Sequence, residues 1–182
     1  LKSREIFQKV NIILVSDHGM VTTSSDSMIF LDDYIHMDDI EVVDWTPVTA
    51  IRPKVHIDSI FQKLNHVHPK MFVFKKGAAP NRIHYNNNRR IQPINAVASE
   101  HWSIATREHF NIDDHNGGTH GFDSRYPSMG GIFVGHGPAF KPGLNRPGIT
   151  NIHLYEMMCK ILGLTPAAND GSLDSTIIFL SN

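Results

Sequence analysis

The stretch VNIILVSDHGM, Val10 to Met20, decides how the chain is read. Its first part, Val10–Ser16, is a short run of apolar and β-branched residues with no polar alternation. Such a run predicts a strand buried on both faces, as in a parallel sheet covered by helices. It stops at Asp17-His18-Gly19. In open α/β sheets, sites are built at the C-terminal ends of strands, so these polar residues are the first candidates for chemistry.

Other elements emerge from spacing. Asp58–Asn65 reads as a helix with Asp58 as N-cap, because Ile57, Ile60, Phe61 and Leu64 form one apolar stripe. Met71–Phe74 reads as a strand, and Ile94–Ala98 with Trp102–Ala105 as a hairpin turning at Ser99-Glu100-His101. Ile132–Val134 is another apolar run. Ile152, Tyr155, Cys159 and Leu162 share one face of a C-terminal helix that Gly163 ends, and Ile177–Leu180 reads as a last strand. Asn81–Gln92 and Asn111–Met129 read as loops. The pattern is α/β: one domain, or the C-terminal part of a larger one.

Composition excludes several classes. The 182 residues are 41% hydrophobic, enough for one compact core. Lys+Arg 17 against Asp+Glu 18 leaves a formal charge of −1, which argues against a nucleic-acid polymer as partner. No apolar run reaches the ~18 residues of a membrane span. A single cysteine, Cys159, closes no disulfide within the chain; it is a buried thiol or pairs outside these residues. The chain starts at Leu1 without Met and without a signal-peptide pattern, so a partial catalytic constellation is expected.

Two segments carry candidate chemistry. Asp17-His18 puts a carboxylate and an imidazole side by side, both ligand types that zinc accepts. Neighbours in a strand point to opposite faces, so both reach one ion only if the backbone turns, and Gly19 permits that. The competing reading is an Asp capping the turn and a surface His. Gly117-Gly118-Thr119-His120-Gly121-Phe122-Asp123 frames one histidine with glycines, which let the backbone come close to a ligand. The competing reading is an exposed His in a flexible loop. His115 and the pair Asp113-Asp114 are rival ligands without that frame. Arg82, Arg89 and Arg90 beside Asn86–Asn88 suit a phosphate grip or a solvated loop. Trp45, Trp102 and Tyr85 suit base stacking or core packing, and His136 between glycines reads as structural.

Together these segments resemble the ectonucleotide pyrophosphatase/phosphodiesterase family of the alkaline-phosphatase superfamily. The similarity runs in order through Val10–Met20, Val48–Lys54 (VTAIRPK), His68–Ser99, Gly117–Gly143 and Leu154–Leu173, nearly the whole chain. The pair SDHGM plus GTHGFD is specific, and the wording is closest to members four and five. The resemblance implies part of an alkaline-phosphatase-like α/β domain, with a mostly parallel central sheet flanked by helices. Residues 1–182 would be the C-terminal portion of a single phosphodiesterase catalytic domain, with the N-terminal portion absent. It implies two zinc ions per complete domain: Asp17 and His18 for the one that also holds the nucleophile, His120 for the other. The nucleophile is a Thr upstream, so no catalytic residue falls in this chain, which alone is expected to be inactive.

The implied reaction is hydrolysis of phosphodiester or pyrophosphate bonds in nucleotides or dinucleoside polyphosphates through a covalent Thr intermediate. Alternatives are a choline-phospholipid or sphingomyelin-type phosphodiesterase, suggested by the end of the chain, and a non-catalytic relative. The expected partner is a small-molecule nucleotide or phosphodiester. The expected location is extracellular or at the cell surface, any membrane anchor lying outside these residues. Three places depart from the family pattern: Val21, Ser124, and Ser99-Glu100-His101-Trp102. They put the local support of the metal ligands in question without removing a ligand. No Asn-x-Ser/Thr acceptor occurs.

Overall fold

The computed structural model describes residues 1–45, 47–111 and 117–181. Asp113, Asp114 and His115, the rival ligands, lie outside the described residues. The chain falls into two compact units, one of residues 1–17 with 131–182 and one of residues 18–130.

The larger unit, 18–130, is built on a four-stranded antiparallel sheet. Its strands are β4 (Ile40–Asp44), β5 (Val48–Pro53), β6 (Met71–Lys75) and β7 (Ile94–Ala98), in the order β4-β5-β7-β6. Register sets the core: Ile51 faces Ile94 and Val73 faces Ala96 on one face. That face carries Ile51, Ile94 and Ala96, all fully buried. Helix α1 (Ile57–Leu64) packs its Ile60 and Leu64 into the same core. Its cap differs from the sequence expectation. The His56 side chain, not Asp58, accepts from a first-turn amide, that of Asp58. The Asp58 carboxylate instead pairs with Lys75 on β6.

A parallel pair, β3 (Met28–Phe30) with β8 (Ser103–Ala105), and an antiparallel pair, β2 (Val21–Thr23) with β9 (Gly117–Thr119), complete this unit. The expected hairpin of Ile94–Ala98 with Trp102–Ala105 is therefore not formed. β7 lies between β5 and β6, while β8 pairs with β3, far away in sequence. Local turn chemistry cannot see such partners, because strand pairing is settled by side-chain packing over the whole fold.

The smaller unit pairs β1 (Ile12–Val15) antiparallel with β10 (Phe133–His136), Ile12 opposite His136. Helix α2 (Leu154–Leu162) buries Met157 against Phe140 and Leu180, with Leu154 and Ile161 packed on them. The expected face differs: Cys159 is buried, but Ile152, Tyr155 and Leu162 are exposed, because the small core meets the helix on its Met157 side. Gly163 ends it at φ 67°, as expected, with the Leu164 amide closing onto the Cys159 carbonyl. Cys159 is a buried free thiol. His136 is structural: its Nε2 donates to the Phe7 carbonyl and its ring stacks on Phe7. The expected strand Ile177–Leu180 is instead a 3-10 turn, Ile177–Phe179, leaving one bridge between Leu180 and Phe140.

The fold is thus mixed α/β. The expected mostly parallel central sheet differs from what the described residues form. Five of their six strand pairings are antiparallel and one is parallel. The all-apolar run at β1 signals two faces to be covered, but it does not encode the direction of the partner. Here Leu14 is 56% and Val15 47% exposed.

Candidate functional site

The pairing of β2 with β9 places Val21 opposite Thr119. In an antiparallel ladder, the start of one strand and the end of its partner lie side by side. Here the residues at that shared end are His18, before β2, and His120, after β9, separated by 102 positions. Their rings stack, with centroids 3.6 Å apart and planes 15° apart. Each segment is anchored by an apolar neighbour sunk in the core, Val21 after His18 and Phe122 after His120. His18 is half-buried and His120 exposed. The Nδ1 of His18 lies 2.7 Å from the Gly19 carbonyl. A carbonyl only accepts, so this nitrogen is the donor.

Close backbone approach holds the first histidine in place. A Cβ on Gly19 would come within 1.9 Å of the Ser128 carbonyl oxygen. The Gly19 amide donates to the Met129 carbonyl at 3.1 Å. Glycine is needed here for lack of space. Behind it, the Ser128 hydroxyl donates to Glu100, while His101 Nδ1 donates to the Thr22 carbonyl of β2 at 2.8 Å. The unusual Ser99-Glu100-His101-Trp102 segment therefore supports the His18 side of this corner, through Ser128 and through β2. Trp102 itself is partly buried on the core and tilts against His68. Trp45 likewise packs on the core, beside His109, so both tryptophans fit the packing reading.

The second histidine is followed by Gly121 at φ +99°, where a Cβ would meet Pro47 at 3.2 Å. Two residues further on, Asp123 is a hub. Arg82 grips it with two prongs, Nη1 at 2.8 Å and Nη2 at 2.5 Å. The Arg125 amide donates to it at 3.0 Å, and so does Nη2 of the Arg125 side chain, also at 3.0 Å. Burial alone would raise the Asp123 carboxyl, but the bonds from Arg82 and Arg125 outweigh it and hold the pKa at about 2. Arg82 thus fits neither the phosphate reading nor the solvated-loop reading. The sequence signal for Asp123 was its place three residues after His120; nothing local pointed to Arg82, 41 positions away. Arg89, Arg90 and Tyr85 are exposed, as a solvated loop requires.

The donors suit zinc. Two imidazoles meet, one with its tautomer set by a backbone carbonyl, as metal-ligating histidines commonly have. Asp17, next to His18 in the chain, is exposed and belongs to the smaller unit. Among the described residues no three His, Cys, Asp or Glu side chains group to hold an ion. What the structure brings together here is the pair of imidazoles of His18 and His120.

Residues 1–123 match the type I phosphodiesterase / nucleotide pyrophosphatase family, and the chain belongs to it. It is 41% identical over 177 residues to the bis(5'-adenosyl)-triphosphatase of Mus musculus, an alignment covering 97% of this chain and 38% of that protein. The solved structure of human ectonucleotide pyrophosphatase/phosphodiesterase 5 superposes with a TM-score of 0.94 at 36% identity, covering 100% of this chain and 48% of the other. An inactive form of the murine protein, in complex with AMP, gives a TM-score of 0.93 at 37% identity, with the same coverage. The chain therefore spans less than half the length of these relatives.

Proposed function

We propose that this chain is part of a two-zinc hydrolase of phosphodiester or pyrophosphate bonds in nucleotides or dinucleoside polyphosphates. The observation that carries this reading is the ring-to-ring meeting of His18 and His120 at the β2–β9 corner. The bis(5'-adenosyl)-triphosphatase and the AMP-bound neighbour favour a nucleotide as substrate. The prefix "ecto" in the neighbour's name favours a place outside the cell or on its surface. Among the described residues no helix is long and apolar enough to cross a membrane.

In this reading Asp17 and His18 serve one zinc and His120 the other. Both units belong to one catalytic domain, and β1 joins a larger, mostly parallel sheet completed by residues outside this chain. When bound, the ions supply Lewis-acid stabilisation of charge on the phosphoryl oxygens and ease ionisation of the attacking hydroxyl. The nucleophile is a Thr outside these residues, which forms a covalent nucleotidyl intermediate that water resolves. This chain's part is to hold imidazole nitrogens and a carboxylate in fixed positions. The β2–β9 register and the packing on Gly19 hold the two imidazoles together before substrate arrives, so little reorganisation of them is left for the reaction.

The test is zinc content and hydrolysis of a nitrophenyl nucleotide ester by the full-length protein, its Asp17→Ala variant and its His120→Ala variant. The expected result is about two zinc ions per chain and, in each variant, a loss of turnover of at least about 100-fold. A full-length protein with neither zinc nor turnover overturns the proposal. Turnover of a choline phosphodiester in place of the nucleotide ester would overturn the substrate class alone.

A further inference from the structure

We propose that Arg82 is a positioning residue for His120, acting through Asp123; its functional meaning rests on the metal-site reading above. The turn carrying His120 is soft by composition. Gly117, Gly118 and Gly121 flank it, and glycine leaves φ and ψ poorly restrained. It is held by the β9 ladder on one side, Pro47 under Gly121, Phe122 sunk in the core, the stacked His18 ring, and the Arg82–Asp123 pair beyond. Of these, only the Arg82–Asp123 pair is made by charged side chains.

Arg82 projects from a loop that is itself tied to the large sheet. The Asn86 side chain brackets Ala79, accepting from its amide at 2.9 Å and donating to its carbonyl at 3.0 Å. The Asn95 side chain on β7 donates to the Gln92 carbonyl, and the Lys76 amide donates to that of Pro93. A planar guanidinium gripping a carboxylate with two prongs fixes direction as well as distance. The pair therefore couples the rigid four-stranded sheet to the His120 turn. Arg125 cannot do this. It is two residues from Asp123, moves with it, and its side chain is 73% exposed against 37% for Arg82.

The experiment uses the full-length protein with Arg82→Ala, Arg82→Lys, Arg125→Ala, and the reversal Arg82→Asp with Asp123→Arg. Two readouts are taken: the imidazole NMR resonances of His120 and the zinc affinity. Arg82→Ala should move or broaden the His120 ring signals and weaken zinc binding about tenfold. Arg82→Lys, which keeps charge but not the fork, should fall between, and the reversal should recover part of the loss. Arg125→Ala should leave both readouts near wild type. Unchanged His120 signals in a folded Arg82→Ala protein overturn the inference, as does an equal effect of Arg125→Ala. Should the wild type bind no zinc, the metal reading fails alone, and the ring signals still decide whether Arg82 positions His120.

Discussion

The β2–β9 corner of the larger unit and the β1–β10 pair of the smaller one are both two-stranded and antiparallel, and each has one strand next to the SDHGM motif. They differ in what lies beneath them. Val21 of β2 is buried in a core that includes Ile29, Leu31, Ile51, Ile60 and Ile94. Leu14 and Val15 of β1 are exposed, as is Val134 of β10, and the nearby core is only Phe140, Met157 and Leu180 with partly buried neighbours. The more apolar strand is thus the less buried one. Apolar character measures what a segment gains by being covered, while burial depends on whether something covers it.

This contrast can be broken by mutation, and both tryptophans, Trp45 and Trp102, lie in the larger unit. Their fluorescence reports that unit. The largest effect is expected from Ile94→Ala, which empties a fully buried site between β5 and β6. It should lower the stability read by tryptophan fluorescence in urea by about 3–4 kcal/mol. A loss under about 1 kcal/mol would mean that the large core is loosely packed.

Next comes Gly19→Ala. Its Cβ meets backbone oxygen, not a side chain that can swing away. The expected cost is about 2–3 kcal/mol, together with loss of the His18–His120 ring contact in NMR spectra. A variant that keeps both stability and the ring contact would show that the 128–130 backbone yields easily.

The third effect is a pH dependence. The folded Asp123 carboxyl, at about 2, lies below its ordinary value of 3.8. The unfolded state therefore takes up its proton first as pH falls. The stabilisation is fully present above about pH 4 and is lost on going down through about pH 2, and it amounts to roughly 2 kcal/mol. Subtracting the acid unfolding profile of Asp123→Asn from that of the wild type should show this step. A flat difference over that window would mean that the Arg82 and Arg125 bonds do not persist in solution.

The smallest effect is expected from Leu14→Ser. With the side chain largely exposed, the unfolding free energy read by far-UV circular dichroism, which reports both units, should change by under about 0.5 kcal/mol. A larger shift would show that β1 is covered in solution.

Elements whose signal is local were legible in the sequence: the existence of helix α2 and its Gly163 stop, the stripe of α1 and strand β6. The buried face of α2 was not, because Met157, Leu154 and Ile161 pack inward while Ile152, Tyr155 and Leu162 of the expected face are exposed. Nor were elements decided by competition. β7 and β8 look like a hairpin because they are adjacent, yet each pairs with strands more distant in sequence. Asp58 has the chemistry of a cap, but Lys75 on a neighbouring strand offers it a full charge. Ile177–Leu180 has the apolar content of a strand and finds one bridge only.

The candidate site divides along the same line. By itself the sequence determined which atoms are available: an Asp-His pair at the end of an apolar run, and a histidine framed by glycines. Side-chain chemistry is carried by the residue and needs no partner to be recognised. Only the tertiary structure decided that His18 and His120 meet, that Gly19 is needed for want of space, and that Arg82 holds Asp123. Each of these is a contact between segments far apart in the chain. Such contacts depend on which register and which packing bury the most surface, a property of the whole fold that no single segment contains.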